Sequence, residues 1–502
     1  WKTLLFNQFH DTLGGTAVKP ARDEAVAQFD MVCASSKRQA VFSMQKILQQ
    51  IDTRGEGFPL VLLNPTGRRY AGTFCVELNW FCKDGLTLKD PDGKEIPYQR
   101  VHTLAKVRNY NLGGRRGIVF DADVPAMGFA VYRVFAQPSE LCDDSRESGG
   151  AWLTDEKEYC LENPFLKAIF RDGYLSSLIE KETGYDALQG AASFPVWLDE
   201  RDTWGGDQGR AFGPSGERLV FESLQVVEEG SLRKVVRAVY RLGGSVLRQE
   251  YILYYDARHL EVKNLLFWDR PWQMLRMEYP LSARDIFAHR QGAYCTAQGR
   301  PTDGREYSMH RFVDIADQSG AGLCLANDGK YVFVMEENRL SFPVARSAIF
   351  AQGNGKNWYN PVEGYEYADM GEQRFTFLLR PHQKTLTPMQ RYRMGEICAG
   401  PVLYLADNCH DGAVKKTAWT GLKIDEENVE LGCLKLSEDG DGYVIRLFET
   451  MGLQAEGVIN LAGHAIAYRI HPYEILSIKV GWDFASQTVN LLEDAYEDGS
   501  DR

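Results

Sequence analysis

The residues of this 502-residue chain best suited to chemistry lie in residues 1–16, WKTLLFNQFHDTLGGT. Apolar Trp1, Leu4, Leu5 and Phe9 recur at helical spacing, His10 and Asp11 follow, and Gly14-Gly15 breaks the run. An imidazole beside a carboxylate at the end of a helix can ligate a metal ion or hold a sugar hydroxyl. The same spacing also suits a simpler role, with His10 capping the helix where the negative end of its dipole favours positive charge. One His-Asp pair falls short of a zinc set, which draws on about three or four protein ligands. On the residues alone both readings stay open.

Other stretches invite chemistry with less force. In DERDTWGGD, Asp202, Trp204 and Asp207 set an indole among acids, which suits a pyranose stacked on the ring with carboxylates on its hydroxyls. The same stretch also reads as a buried loop anchored by Trp204. Trp358-Tyr359-Asn360, after Gly353-Asn354-Gly355, reads as a surface turn. SEDGDG at 437–442 hints at calcium, but EF-hand spacing fails at Tyr443 and a hairpin turn is expected. Arg115-Arg116, flanked by Gly113-Gly114 and Gly117, reads as a solvated turn and not as a nucleic-acid patch. Neither G-x-x-x-x-G-K-[ST] nor G-x-S-x-G occurs, which removes P-loop chemistry and the common serine-hydrolase elbow. A retaining glycosidase needs two carboxyl groups roughly 5 Å apart. Among 69 Asp and Glu, no motif pairs two for that task.

The elements that must position these residues are mostly strands. Aromatic content of 12% favours β structure. Residues 18–51 form the exception, a long helical stretch with Pro20 in its first turn and a stripe through Val26, Phe29, Cys33, Val41, Met44, Leu48 and Ile51. Polar residues interrupt that stripe, which favours a helical bundle over a coiled-coil arm. From Phe58 the period becomes two, and strands are expected near 60–63, 74–78, 119–124 and 129–135. The polar stretch 138–150 marks a boundary. Many short strands then follow without long helical patterns, among them 166–170, 219–227, 233–240, 246–255, 259–267 and 331–335. The fold class is mainly β, an N-terminal helical segment followed by several antiparallel β-sandwich modules, one of them very large. Its divisions are a helical 1–57, a small β-sandwich 58–137, a large antiparallel sandwich 138–400, a C-terminal sandwich 401–490 and an acidic tail 491–502.

A net charge of −12 disfavours nucleic acid and anionic membranes as partners and suits a neutral one such as a glycan. No apolar run approaches the roughly 20 residues that span a bilayer. Ten cysteines include no C-x-x-C pair and several sit in apolar runs, a pattern that reads as reduced and cytoplasmic.

NQFHDTLGGT resembles the Q-x-H-D-x-x-x-G-[ST] block of glycoside hydrolase family 38, the retaining α-mannosidases. Similar elements recur in order: Asp202-Thr203-Trp204, Arg300-Pro301 with Gly304, Asn327-Asp328, Arg346-Ser347, Asp369 with Gly371, Arg446 to Glu449 with Gly452, and Pro472 to Ile475. The resemblance implies that His10 is one ligand of a catalytic zinc and that Asp11 reaches the substrate sugar. It assigns the other ligands, an H-x-D pair and the nucleophilic aspartate, to an N-terminal α/β catalytic domain. None of the nine histidines here is followed two residues later by aspartate. The implied identity is therefore the middle helical and C-terminal β-sandwich portion of such an enzyme, without the catalytic carboxylates and inactive by itself. Zinc belongs to the complete enzyme and is not expected on this fragment. The implied partners are a mannose-containing glycan and the N-terminal catalytic domain, with no nucleic acid and no membrane; a homo-oligomer is compatible with the sequence. The alternative is a carbohydrate-binding or scaffolding β-sandwich protein without catalysis.

Overall fold

The computed structural model describes residues 1–78, 85–101, 116–143, 152–154, 157–205, 213–351 and 364–496. Gly113-Gly114-Arg115, Asp207, the 353–360 turn with Trp358, Tyr359 and Asn360, and parts of the 138–150 stretch and acidic tail lie outside the described residues. The fold is mainly β, and the chain divides into two compact units.

The first unit comprises Trp1–Ile47, Ser148–Ala288 and Gly299–Thr385. Its largest sheet runs, in spatial order, through Phe312–Ala316, Gly322–Asn327, Gly371–His382, Leu260–Trp268, Ser245–Tyr254, Arg233–Leu242 and Val220–Glu229. Period-two burial explains why these segments are strands. In Leu260–Trp268, residues Leu260, Val262, Asn264, Leu266 and Trp268 are buried while the intervening ones face outward. A six-stranded sheet takes Gly213–Arg218, Pro195–Leu198, Gln273–Pro280, Arg339–Arg346, Val332–Glu336 and Asp303–Ser308. Gln273–Pro280 buries six consecutive residues, the pattern of a strand covered on both faces. One continuous core with Phe170, Phe194, Tyr240, Tyr251, Trp268, Phe342 and Phe377 fills this unit. The hairpin Leu166–Arg171/Tyr174–Glu180 turns at Asp172-Gly173, both at positive φ, the conformation an Asp-Gly turn supplies.

The second unit comprises Leu48–Glu147, His289–Gln298 and Leu386–Arg502 and contains two sandwiches. In the first, Phe58–Asn64 pairs with Gly128–Phe135 opposite a sheet of Tyr70–Leu78, Arg116–Val124, Tyr98–Val101 and Cys142–Asp143. Leu403–Ala406 and Ala418–Thr420 add to that first sheet, so the segment after Pro401 completes the small sandwich before it builds its own. The other sandwich faces Leu422–Lys423, Ala455–Leu461 and His464–Ile470 against Val429–Leu436, Gly442–Glu449, Ile475–Gly481 and Ser486–Val489. Arg68 ties the two together by donating to the carbonyls of Ile424 (3.0 Å), Glu426 (2.5 Å) and Val429 (2.6 Å). The 437–442 stretch is the expected hairpin turn, closed by the Ser437 amide on the Gly442 carbonyl.

Four helices occur among the described residues: α1 (Lys2–Phe6), α2 (His10–Leu13), α3 (Lys19–Leu48) and α4 (Pro388–Ala399). Two expectations need correction. Among the described residues α3 packs in no bundle of long helices; only Ala25, Met44 and Leu48 are buried along it, and Leu48 packs with Ile51 on Val61, Phe129 and Val131 of the small sandwich. α4 lies where only strands were expected. A capping box starts it, Thr387 Oγ1 accepting from Gln390 N and Gln390 Oε1 accepting from Thr387 N, and Gly400 at φ 59° ends it. No described helix is long and apolar enough to cross a membrane.

Candidate functional site

His10 and Asp11 stand on a broken helix. The apolar spacing of residues 1–9 suggests one continuous helix with His10 at its C-terminus. Instead α1 ends at Asn7, Phe9 turns extended at ψ 137°, and α2 starts afresh at His10. The capping role for His10 is thereby overturned, because the residue opens a four-residue helix and meets the positive end of its dipole. The cause is Asn7, which is buried and donates from Nδ2 to the Thr3 carbonyl (2.9 Å) and to Gln28 Oε1 (2.6 Å). That second bond anchors the turn to α3.

The turn presents its polar residues outward. The His10 side chain is 80% exposed and lies against the Phe9 ring at 4.3 Å between centroids. Its Nε2 is 3.6 Å from Asp11 Oδ2, beyond hydrogen-bond length. Thr16 Oγ1 donates to Asp11 Oδ1 (3.0 Å), which fixes one carboxylate oxygen and leaves the other for a ligand. Around them Trp1, Leu5, Phe6, Phe9 and Leu13 are exposed. Among the described residues, no cluster of three or more His, Cys, Asp or Glu could hold a metal ion.

A second corner of the same unit gathers Asp199, Asp202, Trp204 and Arg346. Asp199 is fully buried at the end of Pro195–Leu198 and accepts from Arg346 Nε at 2.5 Å. Arg346 Nη2 also donates to the Asp202 carbonyl (2.8 Å), and its amide donates to Asp369 Oδ2 (3.0 Å). Burial raises the Asp199 carboxyl above the usual carboxylate value, and the Arg346 guanidinium opposes that rise. Asp202 is buried too, and its Oδ1 accepts from the Trp204 amide (3.1 Å). Thr203 N donates to the Ile349 carbonyl (2.9 Å) and Thr203 Oγ1 accepts from Ala351 N (2.9 Å). The reading of Trp204 as a buried anchor is thus corrected: Asp202 is the anchor and Trp204 stands 66% exposed at the tip.

One loop links the start of α3 to the Trp204 corner. Lys19 Nζ, at the start of α3, lies 3.4 Å from Glu366 Oε1. The next residue, Tyr367, bridges to Ile349, which bridges to Asp202. The start of α3 and the Trp204 corner are thus fastened to the 364–369 loop, while His10 and Asp11 stand on α2. An exposed indole can stack on an apolar sugar face, and a carboxylate can accept bonds from sugar hydroxyls. Sequence reading singled out His10, Asp11, Asp202 and Trp204 but missed Asp199 as the partner of Arg346, since 147 positions separate them. The available signal was an acid closing an apolar strand, PVWLD, with Glu200 beside it and Asp202 three residues on.

The sequence profile of "Glycosyl hydrolases family 38 C-terminal domain" matches residues 161–354. That span holds Asp199, Asp202, Trp204 and Arg346; His10 and Asp11 lie outside it. Alpha-mannosidase G of Dictyostelium discoideum is 20% identical over 483 residues, covering 90% of this chain and 42% of that protein. Alpha-mannosidase 2C1 of Homo sapiens is 22% identical over 489 residues, covering 92% and 41% respectively. The chain thus spans about two fifths of the length of these curated relatives. The crystal structure of an alpha-mannosidase from Enterococcus faecalis V583 has a TM-score of 0.75 to this chain at 15% identity, covering 95% of this chain and 62% of that one. That likeness is one of fold.

Proposed function

We propose that this chain is the middle and C-terminal part of an α-mannosidase that removes terminal α-linked mannose from glycans. The profile match over 161–354 is the observation that carries this reading. In it, the enzyme retains configuration at the anomeric carbon and depends on zinc. His10 supplies one metal ligand, Asp11 accepts hydrogen bonds from mannose hydroxyls, and Trp204 stacks on the sugar. The exposed apolar residues around His10 take the N-terminal catalytic region of the same enzyme. Exposed thiols at Cys33, Cys75, Cys160 and Cys409 suit a reducing, cytoplasmic setting.

These residues do not make a zinc site by themselves. One imidazole with an adjacent carboxylate is short of the three protein ligands of a catalytic centre. The 502-residue chain with added zinc is expected to leave an aryl α-mannoside unhydrolysed, and His10→Ala is expected to behave identically. Turnover by the chain that His10→Ala abolishes would locate the nucleophile within these residues and sink the proposal. A second reading, glycan binding without catalysis, is favoured by the exposure of Trp204; it requires mannoside binding that Trp204→Ala removes.

A further inference from the structure

A cleft of about 770 Å³ opens in the second unit, between the tip of the hairpin Phe287–Gly292/Cys295–Gly299 and two turns of the C-terminal sandwich. Tyr294, Cys295, Thr296, Gln298, Met451 and Tyr473 are among the residues lining it, and among the described residues no Lys, Arg, Asp or Glu lines it. Tyr294 and Tyr473 are 51% and 49% exposed, although aromatic rings of this size are usually covered. Both hold φ at 57°, the left-handed region that side-chain-bearing residues avoid. Two strained, half-exposed tyrosines on one cleft match the way backbone strain gathers at binding sites.

The support beneath them is built. Glu449 is fully buried, and its Oε2 accepts from the amides of Gly452 (2.7 Å) and Tyr473 (2.9 Å). Its Oε1 accepts from the Met451 amide (2.7 Å) and Asn428 Nδ2 (2.9 Å). One carboxylate thus clamps both turns. Gly452 has no Cβ because one would come within 2.7 Å of the Tyr473 ring, so that ring lies directly on backbone. Tyr294 is held edge-to-face on Phe448 at 5.3 Å.

We propose that this cleft binds a neutral hexopyranose oligosaccharide, with Tyr294 and Tyr473 as stacking faces and the exposed Gln298 meeting hydroxyls. The volume falls in the range of ligand pockets, and the uncharged lining disfavours phosphates, sugar acids and cations. Another cleft in this unit has the same volume but pairs its charges internally, Arg469 with Glu456 at 3.4 Å, and its aromatic Tyr468 is almost fully buried.

The test is ligand-observed saturation-transfer NMR on the 502-residue chain with mannotriose, and with glucuronic acid as the charged control. Saturation should reach mannotriose and not glucuronic acid. Tyr294→Ala and Tyr473→Ala should each weaken binding about five- to tenfold, Gln298→Ala should weaken it less, and Tyr294→Phe should retain it. If Tyr473→Ala fails to fold, the exposed Tyr294 and Gln298 carry the test. Absence of transfer to mannotriose, or transfer undiminished in Tyr294→Ala, overturns the proposal. Transfer lost only in Trp204→Ala assigns the sugar to the other corner and overturns it as well.

Discussion

Arg346→Met is expected to lower the stability of the first unit by about 3–5 kcal/mol at neutral pH. The substitution keeps the aliphatic stem but removes the guanidinium that pairs with Asp199, a carboxylate with no exposure to solvent. An uncompensated buried charge costs far more than a surface pair would. The loss should depend on pH. Burial already raises the Asp199 carboxyl, and removing the guanidinium lets it rise further. A folded state that holds its proton more tightly than the unfolded one is penalised progressively as pH rises through that interval. The deficit of Arg346→Met should therefore shrink as pH falls towards 4, where protonated Asp199 is tolerated. Arg346→Met together with Asp199→Leu should recover much of the loss. Urea denaturation of the variants at pH 4.5 and pH 7.5 reads these outcomes; a deficit below about 1 kcal/mol at both would reduce the pair to an ordinary surface contact. The Trp204 corner should loosen with it, because Arg346 Nη2 holds the Asp202 carbonyl.

The second large effect lies in the other unit. Burial pushes the Glu430 carboxyl up to about 7 from an ordinary 4.5, and Arg68, 3.6 Å away, only partly offsets this. The interval between those values corresponds to ~3 kcal/mol. Because the folded state binds this proton more tightly, the favourable contribution is complete below 4.5 and is lost as pH rises through about 7. Glu430→Gln keeps the shape and cannot ionise. Its stability relative to the parent should grow by ~3 kcal/mol between pH 4.5 and pH 8. Parallel stability curves for the two proteins across that range would show that Glu430 does not titrate as its burial requires.

Which features were legible follows from periodicity. Strands such as Leu260–Trp268 and Ser245–Tyr254 reveal themselves because one face is buried, and burial imposes a period of two. The long helix was equally plain from residues 18–51. α4 was not, because Met389, Arg391, Tyr392 and Met394 follow no clean stripe, and Arg391 is buried with its neighbour Tyr392. Its end signals, Thr387-Pro388 with Gln390 and then Gly400, were present and carry the definition of that helix better than its middle does. The break between α1 and α2 was hidden for the opposite reason. The apolar spacing is continuous, and the helix breaks at Asn7, whose side chain bonds the Thr3 carbonyl and, far along the chain, Gln28. At the site, a ten-residue motif pointed to His10 and Asp11. The Asp199–Arg346 pair, by contrast, exists only after the six-stranded sheet has brought Pro195–Leu198 and Arg339–Arg346 to either side of Gln273–Pro280.

The proposal that His10 completes the metal centre of an α-mannosidase is tested most directly on the longest native polypeptide containing this sequence. Its zinc content and its hydrolysis of an aryl α-mannoside would be measured beside those of His10→Ala. The account predicts zinc bound by the parent, and a fall of about 100-fold or more in kcat/KM with loss of zinc in the variant. A His10→Ala protein that keeps both its zinc and its activity would contradict it.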